Sequence, residues 1–310
     1  MRRTVLSVGA AAALLALAAC SQLTTAKTSP VAHTAAPDSQ PPRQGSASTA
    51  HLAPPAVPGL TWHSEGTVVR GQPTTFVATT RLGSVALMWM DPALLSFRFI
   101  PGSKWPERSP ILPADRRPLT WVPRMAAAFN GAFKLRDNAG GYFYAGRTVS
   151  RLRPGLAALV ITSQGRLSVV QWGREARTTV GLSVVRENLP LLIDQFTART
   201  SGHDTNSTWG WADNNRPLAN RSALGELPDG SLVFAYGYRV TAKDMAAALV
   251  QVHVRTAMML DMNLSQPGGF VYWRQAGRIR GRRILPSIFH SASIYFNQYQ
   301  KDFVAALAIA

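Results

Sequence analysis

The chain has 310 residues, 46% of them hydrophobic, with 24 Gly, 21 Pro and a mean hydropathy of −0.01. That composition excludes both a disordered polymer and a protein of many membrane spans. The formal net charge is +17, and 28 of the 33 basic residues are Arg, which directs attention to anionic or neutral partners and says nothing of fold.

Met1-Arg2-Arg3 followed by the apolar run Val5 to Ala19 has the charge and hydropathy profile of a secretory signal, and the run is too short for a comfortable membrane span. Its end, Leu17-Ala18-Ala19-Cys20, resembles a bacterial lipobox, and Cys20 is the single cysteine of the chain. The expectation is a lipoprotein signal peptide over residues 1–20, with Cys20 lipidated and the protein exported and anchored to the outer face of the bacterial cell membrane. One cysteine at that position also removes disulfides, thiolate zinc sites and a cysteine nucleophile from the folded body. Residues 21–58 hold no Phe, Trp or Tyr and are rich in Ser, Thr, Ala, Pro and Gln, so they read as a disordered linker spanning roughly 30–40 Å. Residues 59–310 are the expected folded domain.

Runs rich in Val and aromatic residues between Gly, Pro and Asp breaks predict strands at 75–80, 85–89, 95–100, 126–129, 156–162, 167–172, 232–236 and 257–260. Ser163-Gln164-Gly165-Arg166 predicts a hairpin between two of them. The clearest helix starts at Thr241, where Asp244 three residues on completes a capping box and Met245, Leu249 and Val252 share a face. Lying between strands 232–236 and 257–260, it predicts a βαβ-like unit in the C-terminal third, and the fold class expected is α+β: a single strand-rich domain with a mixed sheet.

Six His, and no HExxH, GxxxxGK[ST] or GxSxG motif, leave any chemistry to carboxylates, amides and arginines. In chain order, Asn130-Gly131 follows a small-residue strand and is either an ordinary turn or a place where amide and backbone approach a ligand. The loop 203–215 carries Trp209 and Asp213, a sugar-holding ring and carboxylate or a surface loop anchored by a buried Trp. Arg221 offers a planar guanidinium suited to a phosphodiester. Asp261 and Asn263 end a strand and could move a proton, orient water, ligate a hard cation or form an Asx turn. No metal or other cofactor is specifically indicated, although a divalent cation would suit such oxygen ligands. Trp273 to Arg283 holds five arginines, a solvated basic face or a surface for anionic lipid or polymer; nucleic acid is not an expected partner of an exported protein.

Taken in order, Asn130-Gly131-Ala132-Phe133, Arg221-Ser222-Ala223-Leu224-Gly225 and Leu260-Asp261-Met262-Asn263-Leu264-Ser265 resemble three elements of the phosphodiester glycosidase domain family, over roughly residues 75–275. The third departs from the family pattern, since Met262-Asn263-Leu264 stands where the family has three glycines. Trp172-Gly173 and Val185-Arg186-Glu187-Asn188-Leu189 are more similar still to an exported actinobacterial-type branch. The resemblance implies a cell-surface hydrolase that cleaves a sugar-1-phosphodiester in an envelope or extracellular glycan. Arg221 would hold the phosphate and Asp261 would act as acid or base. Asn130, Gly131 and Asn263, with Trp209 and Asp213 as further candidates, would hold the sugar or water. The alternative is a noncatalytic lipoprotein module that grips an anionic envelope glycopolymer in the same cleft. If Cys20 carries the anchor, Cys20→Ser should move the protein from the membrane fraction to the medium on fractionation of expressing cells.

Overall fold

The computed structural model describes residues 52–80, 83–116, 119–137, 140–201, 206–210 and 218–309; the signal peptide, Cys20 and most of the linker lie outside them. Eighteen strands occur among the described residues: β1 (His63–Val69), β2 (Gln72–Thr79), β3 (Val85–Met90), β4 (Leu95–Ile100), β5 (Met125–Asn130), β6 (Tyr142–Tyr144), β7 (Arg147–Ser150), β8 (Ala157–Thr162), β9 (Leu167–Gln171), β10 (Leu182–Asn188), β11 (Ile193–Asp194), β12 (Thr197–Ala198), β13 (Ala219–Glu226), β14 (Leu232–Val240), β15 (Thr256–Met262), β16 (Gly269–Gln275), β17 (Arg278–Arg283) and β18 (Phe303–Ala308). A single turn, α1 (Asn206–Trp209), and one ten-residue helix, α2 (Ala242–Gln251), complete the regular structure with a few short 3-10 turns.

Three sheets result. The largest runs β1-β2-β3-β14-β13-β15-β11-β12; the others run β7-β6-β10-β8-β9 and β17-β16-β5-β18-β4. Continuous apolar runs mark the strands covered on both faces, as in β3, where Val85 to Met90 are all buried between β2 and β14. Met88, Leu224, Phe234 and Leu260 of the large sheet meet Phe97, Phe129, Tyr142, Leu159 and Phe303 of the other two in one core. Phe129 stacks on Phe234 with ring centroids 5.0 Å apart, which joins β5 to β14. A second cluster sets Met245, Ala246, Leu249 and Val252 of the α2 segment against Ala223, Val233 and Met259. The odd and even residues of β13, β14 and β15 thus divide between two cores.

The capping box at Thr241 is present: its Oγ1 accepts from the Asp244 N–H at 3.1 Å, and the Asp244 carboxylate accepts from the Thr241 N–H at 2.8 Å. The hairpin over 163–166 joins β8 and β9, which pair antiparallel from Ala157↔Gln171 to Ile161↔Leu167.

The α+β expectation with a mixed sheet and a βαβ-like unit is overturned. Every pairing between strands is antiparallel, and helix is confined to α1, α2 and short turns among the described residues. β14 and β15 do not pair with each other across α2; β13 lies between them and pairs antiparallel with both. The segment 219–226 reads poorly as a strand because it carries Asn220, Arg221, Ser222 and Glu226, and missing it made β14-α2-β15 look like a closed unit.

Glu226 closes β13 and links two sheets. Its Oε2 accepts from the Val169 N–H of β9 at 2.8 Å, and Arg255 stands 3.6 Å from Oε1. Burial pushes its pKa up to about 7, with the Val169 N–H and Arg255 opposing. A carboxyl raised in the folded state favours folding while protonated, so this contribution is complete below about pH 4.5 and is lost as pH rises through 7. Glu226→Gln removes the titration and keeps an acceptor for Val169. In urea unfolding from pH 4.5 to 7.5, the native chain should lose about 3 kcal/mol relative to Glu226→Gln.

Candidate active site

Strand ends from all three sheets meet at one cluster of buried polar side chains. Phe303 pairs with Asn130 in the β5–β18 register, so the two residues before β18, Lys301 and Asp302, run beside the β5 exit. The Gly131 N–H donates to the Asp302 carbonyl at 2.9 Å. Successive side chains of an extended segment point opposite ways, and here each finds an opposite charge. Lys301 Nζ binds Asp261 Oδ2, and Asp302 Oδ2 accepts from Arg186 Nε at 3.1 Å.

Asp261 is the penultimate residue of β15 and its side chain is 4% exposed; that of Lys301 is 11% exposed. Its Oδ1 accepts from the Met262 N–H at 2.7 Å. Desolvation pushes the Asp261 carboxyl above the ordinary aspartate range, opposed by Lys301 and the Met262 N–H. Asp302 is raised for the same reason, opposed chiefly by Arg186. The Arg186 guanidinium also donates to the carbonyls of Phe133 and, at 3.2 Å, Glu187, and lies over the Tyr142 ring at 5.6 Å. Asn188, two residues on, donates to the carbonyls of Met259 and Leu260 at 2.7 and 2.9 Å, which ties β10 to β15 just below Asp261.

Asn130 and Asp261 are joined through Ser222 of β13. Asn130 Nδ2 donates to Ser222 Oγ at 2.9 Å and to the Gly131 carbonyl at 2.8 Å, and its Oδ1 accepts from the Gly268 N–H at 3.0 Å. Ser222 Oγ in turn accepts from the Asp261 N–H at 3.2 Å. Gly131 answers a packing need: a Cβ there would run into the Asp302 carboxyl group. Asn263 stands two residues past Asp261, where its Oδ1 accepts from the N–H groups of Ser265 and Gln266 at 2.8 and 2.6 Å and so closes an Asx turn.

Arg221 lies apart from this cluster. Neighbouring Ser222 on β13 faces Asn130 and Asp261, whereas Arg221 donates to the carbonyls of Val240 and Trp209, both at 3.0 Å, and to Met262 Sδ at 3.3 Å. Burial lowers its pKa to about 10, and the carboxylate that opposes this is Asp244 of α2. Trp209 is 3% exposed and packs in the α2-side core. Asp213 lies outside the described residues.

The outer edge of the cluster is half-buried. Tyr299, two residues before Lys301, donates to Gln266 Oε1 at 3.0 Å and shares a hydrogen bond with His290 Nε2 at 3.2 Å. Its pKa is raised, first by burial and also by the Asp261 charge, while burial lowers that of His290. Phe289, edge-on to His290, is 67% exposed, and Leu264 is 68% exposed. Among the described residues no three His, Asp or Glu gather as metal ligands, and no helix is long and apolar enough to cross a membrane.

Lys301, Asp302 and Tyr299 escape the sequence reading, and Arg186, Asn188 and Ser222 enter it only inside motifs, with no role of their own. Two signals were available: Arg-Glu-Asn at the end of the apolar run in β10, and Lys-Asp immediately before the apolar β18. A charged residue next to a run with no solvent face must be paired inside the protein.

No family model and no curated protein matches the chain. Solved structures are similar at low identity. The zebrafish N-acetylglucosamine-1-phosphodiester alpha-N-acetylglucosaminidase catalytic domain, auto-inhibited by its pro-peptide, aligns at 13% identity and TM-score 0.44, over 82% of this chain and 84% of that one. A hypothetical protein from Synechocystis aligns at 13% identity and TM-score 0.38, over 81% of this chain and 62% of that one. At such values neither fixes the role of any residue here.

Arg186→Met should leave Asp302 buried without its cation and lower the unfolding free energy by about 3–5 kcal/mol. Arg186→Met with Asp302→Leu should recover most of that loss in urea unfolding. Equal instability of the single and double variants would show that the pair is not coupled.

Proposed function

We propose that the chain is a cell-surface hydrolase that cleaves a sugar-1-phosphodiester, with Asp261 as its reacting carboxyl group. The observation that carries this reading is the position of the Asp261–Lys301 pair, buried just inside the half-buried edge formed by Tyr299, Gln266 and His290. The order of the Asn130, Arg221 and Asp261 elements along the chain supports it from the sequence side.

In the reaction proposed, the bond between the anomeric carbon and the phosphate oxygen breaks and its electron pair stays on that oxygen. Water adds to the anomeric carbon, and the proton it gives up returns through solvent to the Asp261 carboxylate. Burial favours the neutral form of Asp261, so once Lys301 turns from it to a bound phosphate the carboxyl group can take up a proton and donate it to the departing oxygen. Phosphate is a good leaving group, and one such acid suffices. The phosphate-holding role falls to Lys301, the more exposed partner of Asp261, because the Arg221 guanidinium is bonded to the Val240 and Trp209 carbonyls. Asn130 and Ser222 act as positioning residues through the Asp261 backbone. Phe289 and Tyr299 supply ring faces at the edge for a sugar. Export and lipidation at Cys20 belong to the same proposal.

The test uses the full-length protein with a panel of glycosyl-1-phosphodiesters, reading released reducing sugar. Turnover per folded molecule should fall on the order of 10²- to 10⁴-fold in Asp261→Asn, with the folded fraction followed by thermal unfolding. In the native chain kcat/KM should decline as pH rises through the raised Asp261 pKa, since the acid form is the active one. Lys301→Gln should raise KM. No turnover on any phosphodiester, or full turnover in Asp261→Asn, would refute the reading.

A further inference from the structure

The arginine-rich run that the hydrolase reading leaves unused forms β17, the outermost strand of its sheet. Arg278, Arg280 and Arg282 recur every second residue, so all three share one face at about 6.8 Å intervals. The register with β16 sets Trp273 opposite Arg280 and Gln275 opposite Arg278, which brings the half-buried indole onto the same face. Arg282 is neutralised by Glu65 of β1. The side chains of Arg278 and Arg280 are exposed and make no hydrogen bond or ion pair among the described residues.

Beside this row a groove of about 530 Å³ opens between β1 and β16, lined by Ser64, Glu65, Thr67, Trp273 and Arg274 among others. No residue of the Asp261 cluster lines it. Irregular pairing of β1 with β2 between Glu65 and Val68 shapes its wall. A groove with one aromatic wall and hydroxyl groups, next to a strand that carries two unneutralised arginines, suits an extended chain more than a flat bilayer.

We propose that this face binds an extended acidic polysaccharide, with its anionic groups meeting Arg280 and Arg278 in succession and a sugar ring lying against Trp273. The site is separate from Asp261 and does not depend on catalysis there. It would hold an anionic glycan along β17 whether or not the chain cleaves one.

The test measures binding of the full-length protein to polygalacturonate, with neutral dextran, single-stranded DNA and phosphatidylglycerol vesicles alongside. Polygalacturonate should bind, more weakly as NaCl rises, and dextran should not. Arg278→Gln with Arg280→Gln should weaken binding at least about tenfold. Arg147→Gln with Arg151→Gln, an exposed pair elsewhere, should change it little, and Asp261→Asn should leave it unaltered. Equal losses in the two arginine pairs would mean that net charge alone is responsible and would overturn the proposal. So would tighter binding of DNA or vesicles, or no binding of polygalacturonate.

Discussion

Two ion pairs set back to back on Lys301 and Asp302 hold the architecture at its centre. One joins the segment before β18 to β15 of the large sheet, the other joins it to β10 of the five-stranded sheet that does not contain β18. Ser222 and Asn130 add a bridge from the large sheet to β5, and Asn188 ties β10 to β15. Removing charges from water is costly, and burying these four groups gains little net stability over a well-packed apolar cluster. What such pairing does enforce is relative position: if any of the three sheets slid by a residue, a buried charge would lose its partner.

The same arrangement governs the chemistry available. Desolvation raises Asp261 and Asp302, yet each keeps a cation, so the cluster stores carboxyl groups in a low-dielectric setting without leaving bare charge. Asp302 is held by Arg186 and the Ala132 N–H and closely approached by Gly131, and it serves as framework. Asp261 is nearer the half-buried Tyr299 edge, and its cation Lys301 is the more exposed of the pair. Lys301 and Asp302 are therefore adjacent residues facing opposite ways, one toward Asp261 and the other toward Arg186. Arg221, one residue from Ser222, is turned from both by the alternation of an extended strand.

Legibility of the fold in the sequence followed solvent contrast. β3, β4, β5, β8, β9, β14 and β15 were readable because Val, Leu, Ile, Met and aromatic residues run between breaks, and the α2 start was readable because its cap is local. β10, β13 and β17 were not. Arg186, Glu187 and Asn188 in β10, and Asn220, Arg221 and Ser222 in β13, look like solvated loop yet are 0–4% exposed. Their partners are tens to more than a hundred residues away, and no window of neighbours contains them. β17 fails for the opposite reason, since its exposed arginines are those of an edge strand.

By itself the sequence determined the short-range features: the apolar strands, the helix cap, and the Asn130 and Asp261 elements with their order. Tertiary structure alone decided that every sheet is antiparallel, that β13 separates β14 from β15, that Lys301 and not Arg221 meets Asp261, and that β17 lies beside a groove. The reason is one of range. Turns, caps and hydrophobic periodicity are settled by residues within a few positions of each other, whereas the pairing of a buried charge depends on which distant strand end arrives beside it.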